Sequence, residues 1–298
     1  MIGLTVVAYG TSAPELAVAT KTALTHHQPI ALGTVIGSCA ANISLILGIT
    51  ALISPPTIDG RIIRREVPIL LGSAIAVPLL LWNRVLSQLE GALLIGCAVV
   101  FTIFTLTVSA RIHRDDPEHP DHPENPDNAI AQRPVGEGAT ILGGLGRPRT
   151  SRGIATLITF AGLVLLVVGS DLFVSGGRGL AGEVGMSERM LGLTVISIGC
   201  ALPELIGSIV AASRGHAALA VGSVIGSNLL NVFLVLGVTA YLRPIHLGER
   251  MHAVDLVGLV IITLLGALML RGSRRISRVE GAILVLAYVA FMVCAAIF

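Results

Sequence analysis

Residues Gly3 to Leu16 read GLTVVAYGTSAPEL, and residues Gly192 to Leu205 read GLTVISIGCALPEL. Each is an apolar run interrupted by a proline and a glutamate, Pro14-Glu15 in one and Pro203-Glu204 in the other. A second pair follows at the same offset of 189 residues: LGTVIGSCAANISLILG (Leu32 to Gly48) aligns with VGSVIGSNLLNVFLVLG (Val221 to Gly237). Further on, LEGALLI (Leu89 to Ile95) echoes VEGAILV (Val279 to Val285) at an offset of 190. The chain is an internal duplication in which each copy extends over four helix-length segments.

The medium in which it folds follows from composition. Of 298 residues, 53% are hydrophobic and only 13% charged, and mean hydropathy is +0.85. Soluble domains carry about a quarter charged residues, so this is a polytopic membrane protein. Nine stretches have the length and apolarity of a spanning helix: about 2–24, 29–53, 65–82, 89–111, 153–176, 188–213, 217–242, 253–270 and 279–298. Between the fourth and fifth lies RIHRDDPEHPDHPENPDNAIAQRPVGEGATILGGLGRPRTSR, which lacks apolar periodicity and reads as a solvated loop. Its His and acidic residues allow at most weak metal binding. Cys39, Cys97, Cys200 and Cys294 lie in apolar stretches without CxxC spacing, which argues against disulfides and zinc. No signal peptide is expected.

Alternate connections hold most of the 20 basic residues: Arg61, Arg64 and Arg65, the arginines of the long loop, Arg214, and Arg271 to Arg278. The positive-inside rule places these in the cytoplasm, with the C-terminus outside. Helices one to four match helices six to nine, so five helices separate equivalent elements. An odd shift inverts topology. The expected fold is an all-α polytopic membrane protein of two inverted-topology repeats, a plan used by secondary transporters. Residues 1–111 form the first repeat, with four helices, 112–152 a cytoplasmic loop, and 153–298 the second repeat, with five. A symmetric parent has ten helices; the nine here leave the first repeat without its first helix.

A carboxylate at the centre of a membrane helix costs about 2.5–3.5 kcal/mol on insertion scales, so its default reading is functional. Glu15 and Glu204 occupy equivalent places. Pro14 and Pro203 each free a carbonyl one turn earlier. Carboxylates, hydroxyls and freed carbonyls within two turns suit a hard cation; Ca²⁺ takes about 6–8 oxygens. In the next segments Ser38 and Ser227 are each followed four residues later by an asparagine, Asn42 and Asn231, on the same helical face. Two carboxylates and two amides give a formal charge of −2, suited to one Ca²⁺ or a few monovalent ions. Blander readings stand beside these: Gly37, Ser38, Gly226 and Ser227 as close-packing residues, the asparagines as interhelical hydrogen bonds, Asp171 as a cap or rim charge, Cys200 as a small apolar residue.

The paired motifs resemble the α-repeats of the Ca²⁺:cation antiporter family, the sodium/calcium exchangers, in which G-T-S-x-P-E and G-x-x-x-G-S-x-x-x-N each occur twice. GTSAPEL with GTVIGSCAAN, and GCALPEL with GSVIGSNLLN, match that pattern over nearly the whole chain. The resemblance implies ten helices in two inverted repeats and exchange of Ca²⁺ against Na⁺, in some members with K⁺ or against H⁺. It implies as ion ligands Thr11, Ser12, Glu15 and the Ala8 carbonyl, then Ser38 and Asn42, and in the second repeat the Ser197 carbonyl, Glu204, Ser227 and Asn231. Glu15 and Glu204 are the Ca²⁺ carboxylates. The chain departs from the pattern at Cys200-Ala201, where the family has Thr-Ser, so two hydroxyl ligands are missing.

The expected function is therefore secondary Ca²⁺ antiport by alternating access, in the plasma (inner) membrane, without enzymatic activity or a resident cofactor; Ca²⁺, Na⁺ or H⁺ are its transported partners and the lipid bilayer its surroundings. The alternative is a truncated, non-transporting structural or regulatory relative. No nucleic-acid partner is expected, and the sequence does not set an oligomeric state. An intramembrane enzyme using the two acids is disfavoured, since no nucleophile–base pair appears and all eight His lie in loops or at helix ends.

Overall fold

The computed structural model describes residues 8–56, 60–114, 152–247, 253–272 and 275–297. A helical stretch at 8–11 leads into α1 (Ala13–Leu24). Next come α2 (Gln28–Ile53), α3 (Gly60–Leu80), the short strand β1 (Val85–Leu86) and α4 (Gln88–Arg114). The second half has α5 (Arg152–Glu183), α6 (Glu188–Cys200), α7 (Leu202–Ser213) and α8, a continuous run of Ala217–Leu230, Asn231–Leu236 and Gly237–Leu242. Strand β2 (Ile245–His246), α9 (Ala253–Gly272) and α10 (Arg278–Ile297) complete it.

All nine apolar segments fall on helices wherever they are described, but their ends differ. The third was expected to begin at residue 65; α3 begins at Gly60, so Arg64 and Arg65 lie on a helix and not in a connection. The Arg65 guanidinium sits 4.8 Å over the Phe104 ring of α4, which lets a charged turn stay helical against an apolar neighbour. Helices α4 and α5 likewise run on to Arg114 and Glu183. The loop 112–152 lies, except at its two ends, outside the described residues, as do residues 1–7 of the first repeat.

Among the described residues, five helices are long and apolar enough to cross a membrane: α2, Gln88–Thr107 of α4, Leu219–Leu242 of α8, α9 and α10. Helices α6 and α7, bent by 43° at Ala201, make a sixth span if taken together. In α2 and α8 the apolar stretch is 78% and 72% buried, against 17% in α4 and 28% in α10. The first two are therefore the centre of the bundle. The outer helices show Leu89, Leu93 and Val100, or Val279, Leu286 and Ile297, to the surroundings, as a lipid-facing surface requires.

Local rules shape the centre. Pro14 and Pro203 stand in the first turns of α1 and α7, and Ser12 and Ala201 just before them share one backbone conformation, φ −79°, ψ 0° and φ −80°, ψ 0°. Helix α1 ends with His27 N donating to Thr22 O (2.7 Å) and His26 N to Ala23 O (3.3 Å), with His26 left-handed at φ 68°. Helix α7 ends identically through His216, Ala211 and Ala212, with Gly215 at φ 80°. Both are Schellman caps. The starts of α4 and α10 carry matching capping boxes: Ser87 and Glu90, and Ser277 and Glu280, exchange side-chain and backbone hydrogen bonds.

Glycines let the helices touch. A Cβ on Gly48 of α2 would lie 2.7 Å from Gly281 O of α10, and one on Gly91 of α4 would lie 2.8 Å from Gly237 O of α8. Gly37 of α2 is as tight, 2.5 Å from Leu193 O and 2.6 Å from Ser197 Oγ of α6. The packing reading therefore holds for Gly37. At the bundle ends β1 pairs with β2, Leu86 opposite Ile245, while Ile276 N donates to Pro56 O (3.2 Å).

One ionic feature inside the bundle was not foreseen. Arg189, in the first turn of α6, donates to Asp255 of α9 through Nε (2.6 Å) and Nη2 (2.8 Å), and Nη2 also donates to Ala295 O of α10 (2.9 Å). Both side chains are buried. Both residues fall inside apolar segments, 188–213 and 253–270, where a charged side chain is itself the warning sign.

Candidate ion-binding site

The two proline-glutamate breaks and the two asparagines converge on the central helices. Helix α1 packs on the segment Asn231–Leu236 of α8, and α7 packs on Ala41–Ile46 of α2. Both of these segments are π-helical, and each contains its asparagine, Asn42 or Asn231. The wider turn is a recurrent device at functional sites. Nothing in the residue types announces it.

Burial and satisfaction of these residues conflict in an informative way. Glu15 is 0% exposed and Glu204 2%, and Asn42 and Asn231 are fully buried. Among the described residues, neither carboxylate oxygen of Glu15 or of Glu204 has a hydrogen-bond partner, and neither do the amide O and N of Asn42 and Asn231, or Ser12 Oγ. An unpaired buried polar group costs about 1–3 kcal/mol, more if charged. Eight such atoms from four repeat-related side chains are not a packing accident. The two carboxylates lie within electrostatic reach of one another.

The hydroxyls are arranged across the two halves. Thr11 Oγ1 is 3.4 Å from Ser227 Oγ and 3.2 Å from Ala8 O, to which it donates. Both hydroxyls stand beside the Glu204 carboxylate without completing a hydrogen bond of ordinary geometry to it. On the other side Ser38 Oγ donates to Ser197 O over 3.4 Å. The carbonyls implicated by resemblance are already engaged: Ala8 O also accepts from Ser12 N (3.0 Å), and Ser197 O from Ala201 N (3.0 Å). The carbonyls deprived of a helical amide are those of Gly10 and Gly199, four residues before Pro14 and Pro203.

All ten expected ligand positions thus lie on α1, α2, α6, α7 and α8 or the stretch leading into α1. Asp171 does not join them; it is exposed on α5 and pairs with Lys21. Asn228 was missed: buried beside Ser227, it donates from Nδ2 to Cys39 O (3.2 Å) and leaves its Oδ1 unpartnered among the described residues. The first asparagine of GSNLLN, which has no counterpart in GSCAAN, is the available signal. Among the described residues no three His, Cys, Asp or Glu side chains gather closely enough to hold a metal, so the donor set is two carboxylates with neutral oxygens, a set suited to hard cations and unlike a zinc centre.

Such a bundle, with bent helices and unpaired acids at its centre, defines an integral, multi-pass membrane protein of the ion-transporter kind. Specifically, the chain belongs to the sodium/calcium exchanger protein family, whose model matches residues 1–107 and 154–296. It is 34% identical to the putative antiporter CaxA of Alkalimonas amylolytica, over 98% of this chain and 86% of that one. It is 30% identical to the sodium/calcium exchanger MaX1 of Methanosarcina acetivorans, over 98% and 87%. Among solved structures it is similar to the sodium-calcium exchanger NCX_Mj soaked with Na⁺ and Ca²⁺, with a TM-score of 0.67 and 26% identity over 98% of this chain and 85% of that chain.

Proposed function

We propose that this protein is a secondary antiporter that exchanges Ca²⁺ against Na⁺, or in its place H⁺ or K⁺, by alternating access. The observation that carries the reading is the set of unpaired, buried oxygens on Glu15, Asn42, Glu204 and Asn231. Ca²⁺ needs about 6–8 oxygens, and a formal charge of −2 neutralises it. The relatives named as exchangers and antiporters support the same assignment.

The architecture proposed with it is two inverted repeats, 1–111 and 153–298, of nine spanning helices, joined by a cytoplasmic loop at 112–152 and ending outside a plasma (inner) membrane. Contacts between repeat-equivalent residues support the twofold relation. Cys39 and Asn228, 189 residues apart, touch each other, Cys39 Sγ to Asn228 O (3.9 Å) and Asn228 Nδ2 to Cys39 O (3.2 Å). Residues that meet their own equivalents lie on the axis. The Gly48–Gly281 and Gly237–Gly91 contacts form an equivalent pair around it.

The test is radiolabelled Ca²⁺ uptake into proteoliposomes under an imposed Na⁺ gradient, then a pH gradient. Uptake that depends on one gradient and is abolished in Glu15→Gln and in Glu204→Gln is the expected result. Uptake indifferent to both substitutions, or none in the wild type, removes the antiport reading.

A further inference from the structure

We infer that the two halves of the site are unequal seats. A hard monovalent cation such as Na⁺ is held by Thr11, Ser227 and Glu204, and the equivalent place at Cys200, Ser38 and Glu15 holds none. Ca²⁺ is then exchanged against fewer monovalent ions than a twofold-symmetric site would take. This rests on the antiport reading above and narrows it to which half carries the counter-ion.

The offset of 189 residues maps Thr11 onto Cys200 and Ser12 onto Ala201, while Glu15, Ser38 and Asn42 map onto Glu204, Ser227 and Asn231. The carboxylates and amides are duplicated; the paired hydroxyls are not. On the first side Thr11 Oγ1 and Ser227 Oγ are 3.4 Å apart beside the Glu204 carboxylate, and Ser12 adds a buried hydroxyl with no partner among the described residues. Oxygens so grouped can close around a small hard ion.

On the other side Ser38 Oγ is turned to Ser197 O. The place corresponding to Thr11 is filled by the thiol of Cys200, within electrostatic reach of both Glu15 and Glu204. Cys200 and Ala201 are each 3% exposed, so sulfur and methyl groups take the volume where hydroxyls or water would supply oxygen. A thiol is a weak acceptor and soft, poorly matched to a hard monovalent ion. The divalent ion depends less on this loss, because its charge is met by the carboxylates, which both halves keep.

The experiment measures binding directly, apart from transport. Radiolabelled Ca²⁺ is bound to the purified wild type in detergent and displaced by Na⁺, with Cys200→Thr/Ala201→Ser and Thr11→Cys/Ser12→Ala in parallel. The wild type is expected to give a hyperbolic, single-ion displacement curve. Restoring the hydroxyls with Cys200→Thr/Ala201→Ser should make the curve sigmoidal. Thr11→Cys/Ser12→Ala should lower Na⁺ affinity relative to Ca²⁺ affinity by about tenfold or more. A sigmoidal wild-type curve, an unchanged curve in the restored variant, or an unchanged affinity ratio in the converse variant overturns the proposal while leaving antiport intact. A wild type that binds no Ca²⁺, or whose Ca²⁺ binding survives Glu15→Gln, overturns the antiport reading and this proposal with it.

Discussion

Asn42 separates a ligand from a structural residue. A buried asparagine that tied two helices together would lose stability when replaced by leucine. Here neither amide atom has a partner among the described residues, so Asn42→Leu removes a desolvation penalty of about 1–3 kcal/mol and is expected to raise the ion-free melting temperature. The same change should erase the further rise that Ca²⁺ gives the wild type by binding only the folded state. A thermal-shift series with and without Ca²⁺ checks both signs, and a fall in ion-free stability would return Asn42 to a structural role. The carboxylates and asparagines were legible in sequence because each is an expensive residue in an apolar segment, and because it occurs twice. The engagement of the Ala8 and Ser197 carbonyls was not legible. Backbone hydrogen bonding depends on how far each helix continues past its break, and here Ser12 N and Ala201 N remain bonded across it.

At the scale of elements, the buried Arg189–Asp255 pair fixes the beginning of α6 to α9 and to the end of α10. Removing one partner leaves a buried charge without its counterpart, which costs about 3–5 kcal/mol, whereas replacing both by apolar residues of similar volume is often neutral. Asp255→Asn is therefore expected to lower the melting temperature strongly, and Arg189→Met/Asp255→Leu to recover most of the loss. Equal losses in the single and double variants would show that the pair matters for more than its charge balance. Hydropathy foretold the helices and most of their ends. It failed where a charged turn found a specific partner, as Arg65 does over Phe104, since that stabilisation comes from another helix. The π-helical segments Ala41–Ile46 and Asn231–Leu236 were also invisible to it: ordinary residue types fill them, and packing against α7 and α1 decides the wider turn.

For the whole molecule, the duplication makes a prediction that no single helix does. If the halves are structural equivalents, Gly48 of α2 and Gly237 of α8 do the same work against α10 and α4. A Cβ would come to 2.7 Å from Gly281 O at the one and 3.0 Å from Leu94 Cβ at the other. Gly48→Val and Gly237→Val should each destabilise the detergent-solubilised protein by about 1–3 kcal/mol or more through overpacking, with effects of similar size. A large loss in one and none in the other, by thermal denaturation, would argue that the repeats have diverged in architecture as well as at Cys200-Ala201. The shared offset of 189 residues is legible in the sequence and pairs stretches that lie far apart along the chain. What it left open was which equivalents meet: the touching of Cys39 and Asn228 is a fact of packing.

The unpaired acids also bear on what the protein does when it carries nothing. A carrier that turned over empty would move two uncompensated negative charges through a medium that solvates them poorly, and the penalty per buried ion is several kcal/mol even after relaxation. One divalent cation cancels that charge, and a single monovalent cation at the seat of Thr11, Ser227 and Glu204 halves it. On the antiport reading, the return journey is therefore open mainly to a loaded carrier, and the electrostatics of Glu15 and Glu204 suppress leakage. Tight coupling would then be a property of vacancy: the cost of an empty seat makes each departure wait for an arrival.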